Sequence, residues 1–202
     1  YDDRRMIHLG SIGRISIDLD ASFLILIVFF VATFYDPAQG IRTGQYGDVE
    51  PVTDASKHTW HLIAMDKATG KVVWDKVAYE GIPKTKRHPK SSQASATPVT
   101  NGRQVIVSFG SQGLYAFDFA GKLLWQKDLG DKKMRNQFGE GSTPVLAGDR
   151  LVIVWDHLAG SFIVALDATN GRELWRQSRD EIDTWATPLV VEQGGRKQAI
   201  VP

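Results

Sequence analysis

The side chains that could carry chemistry lie in segments between short apolar runs. Asp156 and His157 directly follow the apolar run that ends at Trp155. The carboxylate could orient the imidazole as a base, or it could bind a cation. The alternative for this pair is a simple turn at the end of a strand. Further along, the charged stretch 179–181 contains Asp180 and is followed by Trp185, which brings a large flat ring close to the charges.

A second group of candidates is basic. Segment 84–90 holds four Lys or Arg residues and one His, and it contains Pro89. This composition could bind an anion, and the alternative is a solvated loop. The pair His58 and His61 has a spacing that zinc sites use, but no cluster of carboxylates lies near it in the sequence. Two solvated histidines are the simpler interpretation.

Composition excludes several classes of function. The chain has 202 residues and no cysteine, so disulfides, thiolate nucleophiles and cysteine metal sites are absent. No Gly-x-Ser-x-Gly motif is present, which argues against a hydrolase of the nucleophile-elbow type. The net charge of +1 supplies no field to attract nucleic acid, so we expect no nucleic-acid partner.

The elements that position these groups come in repeats. Three segments align, and they end at Trp74, Trp125 and Trp175, which are 51 and 50 residues apart. Thr-Pro pairs form a second marker with spacings of 46 and 44, and they begin at Thr97, Thr143 and Thr187. Two markers in one register indicate a repeat architecture.

Each repeat has the pattern of four short strands separated by turns that contain glycine. Four antiparallel strands per repeat of this length are typical of a propeller blade. The sequence therefore predicts an all-β fold, a partial β-propeller of four-stranded antiparallel blades. Segments 94–140 and 141–184 form complete blades, 60–79 gives the last two strands of an earlier blade, and 185–202 gives the first two of a later one. Since a closed ring needs about 4–8 blades, we expect a fragment or a truncated product.

The repeat resembles the tryptophan-docking motif of pyrroloquinoline-quinone (PQQ)-type propellers. The first copy, Ala64 to Trp74, reads A-x-D-x-x-T-G-x-x-x-W. The third copy has Asn170 in place of the threonine, and the second copy lacks one residue. In such a motif the indole packs on small residues of the neighbouring blade, and the aspartate accepts hydrogen bonds from turn amides. The residues assigned to this structural role are Ala64, Asp66, Gly70, Trp74, Ala116, Asp118, Gly121, Trp125, Ala165, Asp167, Gly171 and Trp175.

The resemblance to PQQ-like repeat proteins implies two functions. The first is a non-catalytic scaffold of the bacterial periplasm or cell envelope that binds a protein partner or a small ligand at its loops. The second is a PQQ- and Ca²⁺-dependent dehydrogenase of alcohols or sugars. In those enzymes a tryptophan lies under the quinone and oxygen ligands hold Ca²⁺. The residue types for such a site are present at Glu140, Asp156, His157, Asp180 and Trp185. The adjacent cysteines of those enzymes are missing, which favours the scaffold.

Residues 1–40 do not show the repeat, which we assign to residues 41–202. The run 21–35 is almost wholly apolar and follows several arginines, as in a membrane anchor. It is shorter than the roughly 20 residues of a membrane-spanning helix. In the alternative interpretation, 26–34 is a buried β-strand rich in β-branched and aromatic residues. The sequence leaves both open, so membrane association through 21–35 is one of two expectations.

Overall fold

A computed structural model describes residues 6–12, 15–20, 35–36, 40–41 and 49–202 of the chain. The chain divides into two compact units, Tyr1–Val49 and Glu50–Pro202. In the first unit two antiparallel pairs form, β1 with β2 and β3 with β4. Their bounds are β1 (Met6–Ile12), β2 (Ile15–Asp20), β3 (Tyr35–Asp36) and β4 (Gly40–Ile41).

The apolar run falls almost entirely outside the described residues, so its two interpretations remain predictions. Among the residues that the structure does describe, no helix has the length and apolar character needed to cross a membrane.

The second unit contains two complete four-stranded blades and two two-stranded half-blades. All neighbouring strands are antiparallel. The predicted partial propeller of four-stranded antiparallel blades is confirmed. The leading half-blade is β5 (His58–Met65) and β6 (Val72–Gly81); blade I is β7 (Val99–Thr100), β8 (Gln104–Ser108), β9 (Leu114–Asp118) and β10 (Leu123–Lys127); blade II is β11 (Val145–Ala147), β12 (Arg150–Trp155), β13 (Phe162–Asp167) and β14 (Glu173–Ser178); the trailing half-blade is β15 (Leu189–Gln193) and β16 (Arg196–Ile200).

The two middle strands of blade I, β8 and β9, are buried on both faces, which explains why they are nearly continuous apolar runs. On β8 and β9 successive side chains point to opposite faces. Ile106 and Leu114 enter a core shared with blade II, while Val107 and Tyr115 enter a core shared with the leading half-blade. The two cores are thus inter-blade layers, and stability comes from stacking one blade on the next.

Each inter-blade layer is anchored by one indole. Trp74 Nε1 donates to the carbonyl oxygen of Phe119 in the next blade at 2.9 Å. Trp125 Nε1 donates to Ala168 O at 2.9 Å, and Trp125 is 8% exposed. Both acceptors lie in the turn between the third and fourth strands of the following blade. Trp175, in the last copy, is 39% exposed.

The turn that receives the indole has a glycine where the ring approaches. Gly171 has a φ of +73°, and a Cβ added there would lie 2.7 Å from Trp125 Cε3. Such a distance is a steric overlap. Glycine is therefore required for two independent reasons, the left-handed backbone and the space that the ring fills.

The aspartate of each repeat holds the same turn. Asp66 Oδ1 accepts from Thr69 N at 2.8 Å, and Asp118 Oδ1 accepts from Lys122 N at 2.8 Å. Asp167 Oδ1 accepts from Thr169 N at 2.8 Å. These Asx-type bonds satisfy turn amides that the strand ladder leaves free.

The Thr-Pro marker also has a physical role. Thr97 N donates to Thr143 Oγ1 at 3.0 Å, and Thr143 N donates to Thr187 Oγ1 at 3.3 Å. Each threonine stands just before the first strand of its blade or half-blade. The result is a ladder of hydrogen bonds that joins successive blades along their first strands.

The segments that connect strands are longer at one end of the blades than at the other. Segments 82–98, 128–144 and 179–188 link one blade to the next, and 109–113 and 156–161 join second strands to third strands. In an antiparallel blade these segments lie at one end, which we call the connection end. The opposite end, the turn end, carries short turns such as 119–121 and 168–171. Connections of this length at one end are typical places for binding residues.

Substituting the indole of Trp125 will destabilise the chain more than substituting its exposed equivalent. Trp125→Ala removes a buried ring and its hydrogen bond, at a cost of about 3 kcal/mol, so the melting temperature will fall by several degrees. Trp175→Ala is the matched control, since Trp175 occupies the same motif position but is 39% exposed. Equal losses in a calorimetric melt of the two variants would show that cross-blade docking is not what stabilises the fold.

Two glycine variants separate backbone strain from ring packing. Gly70 and Gly171 share a motif position and have φ values of +70° and +73°, but an added Cβ at Gly70 meets no atom within 4 Å. Gly70→Ala will cost about 1 kcal/mol, the strain of a left-handed residue. Gly171→Ala adds the overlap with Trp125 and will cost clearly more. Urea denaturation measures both, and a difference of zero would contradict the docking geometry.

Candidate functional site

Glu140 lies at the connection end and is fixed by a neighbouring turn. Its carboxylate accepts hydrogen bonds from Ser111 Oγ at 2.5 Å, from Ser111 N at 3.0 Å and from Thr85 Oγ1 at 3.4 Å. Burial raises the pKa of the Glu140 carboxyl, although these bonds and the positive charge of Lys132 oppose the shift. The carboxylate therefore joins the connections on both sides of blade I to the turn 109–113.

Asp156 is fully buried and is paired on one side only. Its Oδ1 accepts from Arg179 Nε at 2.9 Å, and the Arg179 side chain is 13% exposed. Its Oδ2 is buried and has no hydrogen-bond partner. A buried carboxylate oxygen without a donor is costly, so this atom is a place where a donor or a cation would be stabilised.

His157 follows Asp156 but does not share a hydrogen bond with it. Its Nδ1 accepts from Lys133 N at 3.3 Å, and its side chain is 7% exposed. Burial, with a further contribution from the charge of Lys132, lowers the pKa of the imidazole. A neutral ring that accepts a backbone hydrogen bond here holds connection 128–144 against turn 156–161.

Asp180 and Trp185 do not join the buried carboxylates as a cluster. Asp180 is exposed to solvent. Trp185 donates its Nε1 hydrogen to Gly139 O at 2.9 Å, and it is 45% exposed. A Cβ added at Gly141 would lie 3.3 Å from the Trp185 ring. The structure thus brings Trp185 beside the backbone on both sides of Glu140.

The residue that the sequence did not single out is Lys132. Its side chain is buried, with Nζ 3.5 Å from Val154 O and 4.5 Å from the centroid of the Trp155 ring. Burial lowers the pKa of the ammonium, and the negative charges of Glu140 and Asp156 oppose that shift. In the sequence Lys132 is one of two adjacent lysines in a polar segment, which is the pattern of a solvated loop.

The cavity beside Glu140 does not fit PQQ and Ca²⁺. Lys132 already supplies a positive charge near Glu140 and Asp156. A metal ion bound there would add a second positive charge beside the ammonium. The cavity lined by Lys132, Glu140 and Trp155 has a volume of about 20 Å³, which suits a single water molecule. A quinone needs a pocket of several hundred Å³. Throughout the described residues, no three His, Asp or Glu side chains group as metal ligands.

The other sequence candidates have structural partners. His61 Nδ1 lies 2.6 Å from Asp75 Oδ1, whereas His58 Nδ1 lies 2.8 Å from Ser56 O, so the two rings are engaged separately. Within 84–90, Arg87 pairs with Asp54 through Nε at 2.9 Å and Nη2 at 3.2 Å. That pair ties the approach to β5 to the first connection.

Comparison with known families identifies the family to which the repeats belong. The family model described as outer membrane protein assembly factor BamB matches residues 58–199, which hold every strand of both blades and both half-blades except the last residue of β16. The chain belongs to this family. Membership in the BamB family agrees with the resemblance to PQQ-like repeats that the tryptophan motif suggests.

Solved structures similar to this BamB-family chain include a BamB protein and two dehydrogenases. BamB from Moraxella catarrhalis is 22% identical with a TM-score of 0.41, over 65% of this chain and 35% of that one. A europium-containing methanol dehydrogenase is 15% identical (TM-score 0.40; 64% and 24% covered). Quinohemoprotein alcohol dehydrogenase from Comamonas testosteroni is 20% identical (TM-score 0.40; 64% and 21%). This chain thus spans about a third or less of each. No curated protein matches it.

The buried ammonium of Lys132 makes stability depend on pH. Its pKa in the folded chain lies below the usual 10.5 of the unfolded chain, so between those values the unfolded chain binds more protons. Stability therefore rises as pH increases toward 10.5. In Lys132→Met that rise will be smaller, whereas in Lys122→Met, which alters an exposed lysine, it will match the parent. Urea denaturation from pH 7 to 10 measures it; parallel curves for Lys132→Met and the parent would contradict the burial of a charge.

Proposed function

We propose that this chain is part of a non-catalytic binding scaffold that engages a protein partner through its connection end. The observation that carries the proposal is how the candidate polar groups are used. Glu140 receives its hydrogen bonds from Ser111 and Thr85, and Asp156 receives one from Arg179. These bonds hold the connections in place. Fixed connections form a preorganised surface, which lowers the entropy cost of association.

The connection end also exposes large apolar side chains. Ile82 is 59% exposed, Leu158 and Ile182 are each 54% exposed, and Trp185 is 45% exposed. Each lies on a connection or on the turn 156–161. Exposed apolar and aromatic residues mark protein interaction sites, so they support a protein partner at this end.

We place the scaffold in the bacterial cell envelope. The support is the family description, which names an outer-membrane assembly factor. Membrane association through residues 21–35 belongs to the same proposal, since an apolar run after several arginines is typical of an envelope anchor.

The second candidate function is a PQQ- and Ca²⁺-dependent dehydrogenase of alcohols or sugars. One observation favours it, namely the buried Oδ2 of Asp156 without a hydrogen-bond partner. A cation would satisfy that oxygen. The ammonium of Lys132 nearby and the bonds that Glu140 already accepts weigh against this function.

Site-specific photo-crosslinking in the producing cell tests the scaffold. A photoreactive amino acid at Ile182 or Leu158 will yield a discrete protein adduct, because both positions lie at the connection end. Phe119 is the matched control, since it is also 54% exposed but lies at the turn end. Equal adducts at all three positions, or adducts at Phe119 alone, would contradict the proposed surface.

A titration of the same protein tests the dehydrogenase proposal. Titration with PQQ in the presence of Ca²⁺, followed by tryptophan fluorescence, will show no saturable quenching under the scaffold proposal. Saturable quenching that a chelator abolishes, together with dye-linked oxidation of an alcohol, would replace the scaffold by the enzyme.

A further inference from the structure

A second cavity at the connection end is large enough for a small molecule. It is a cleft of about 520 Å³ between the first connection and the second, and turn 156–161 completes it. This volume lies within the range of small-ligand sites. Pro83, Met134 and Leu158 give the cleft apolar walls. An occupant must therefore present an apolar surface to them.

The cleft carries a net positive charge after its ion pairs are accounted for. Lys84 pairs with both Asp128 and Asp131, each at 3.1 Å, so this group contributes no positive charge. Asp54, the acidic residue in the lining, is neutralised by Arg87 at 2.9 Å. Three more lysines remain in the lining, at positions 86, 132 and 133. An anion is the complementary ligand.

Lys132 distinguishes this cleft from a basic surface patch. Its side chain lines the cleft and is only 5% exposed, so its ammonium has lost most of its hydration. The ammonium has three N–H donors, and one of them makes a long hydrogen bond of 3.5 Å to Val154 O. A carboxylate in the cleft would accept the remaining donors and form a charge-assisted hydrogen bond.

The carboxylates whose charges act on Lys132 form their hydrogen bonds elsewhere, and Asp156 Oδ2 has no hydrogen-bond partner. Glu140 accepts from Ser111 and Thr85, and Asp156 accepts from Arg179. Both lie outside the lining of this cleft. Their negative charges partly offset the positive charge of Lys132, but their side chains do not line the cleft.

We propose that this cleft binds a small organic acid, with its carboxylate at Lys132 and Lys133 and its short apolar body against Pro83, Met134 and Leu158. Leu158 borders both this cleft and the proposed protein-binding surface, but binding of the acid does not depend on the scaffold proposal. Recognition needs both parts of the ligand, because the ammonium selects charge and the walls select apolar surface.

Calorimetric titration of the full chain with hexanoate, acetate and hexanol tests this requirement. Hexanoate will bind saturably, and acetate and hexanol will each bind at least about tenfold more weakly, a difference of about 1.4 kcal/mol. Acetate lacks the apolar body and hexanol lacks the charge. Failure of hexanoate to saturate, or equal binding of hexanol, would overturn the proposal.

Variants assign the binding to the buried ammonium. Lys132→Met keeps a similar apolar volume, and hexanoate affinity will fall at least about tenfold. Lys122→Met, an exposed lysine of the turn end, will bind as the parent does. Unchanged affinity in a folded Lys132→Met would exclude Lys132 as the ligand.

A measurement on the unsubstituted protein covers the case in which Lys132→Met does not fold. NMR of ¹³C-labelled lysine, assigned with Lys132→Arg, follows the titration of the Lys132 amine. Saturating hexanoate will move its midpoint to higher pH, because a nearby carboxylate favours the ammonium. A midpoint that hexanoate leaves in place would overturn the assignment.

Discussion

The fold depends on an indole that crosses from one blade to the next. Trp74 and Trp125 each place a flat ring against the turn of the following blade and donate one hydrogen bond to its backbone. The ring fits because Gly171, and Gly121 in the earlier layer, leave the space that a Cβ would fill. Packing, hydrogen bonding and backbone conformation thus meet at one contact. The spacing of the tryptophans along the chain follows from this geometry.

At the connection end, polar side chains join separate segments of the chain. Its buried charges hold connections together, as Glu140 does through Ser111 and Asp156 does through Arg179. Lys132 is different, since its ammonium is buried against a ring and a carbonyl oxygen. Burying a charge without a full set of partners reduces stability. Such a charge is retained at a cost, which is the usual condition of a binding group.

The sequence predicted the blades because the contacts that join successive blades recur at a nearly constant spacing along the chain. The Thr-Pro and tryptophan markers make the same contacts from one repeat to the next, so their periodicity located both complete blades and both half-blades. The site was harder to predict. Lys132 packs against Val154 and Trp155, which are more than twenty residues away, and no local pattern in the sequence indicates that contact. The acidic candidates were recognised by type, but their engagement with Ser111 and Arg179 depends on how the connections fold over one another.

The threonine ladder gives the assembly a direction. Thr97 and Thr143 each donate a backbone N–H forward, and Thr143 and Thr187 each accept from behind; the indoles of Trp74 and Trp125 donate forward as well. Every internal blade therefore has a donor side and an acceptor side. Tandem duplication of a whole repeat in the gene would match these donors and acceptors again. A repeat lengthened or shortened by part of a blade would not, so proteins of this architecture are free to evolve in steps of one blade.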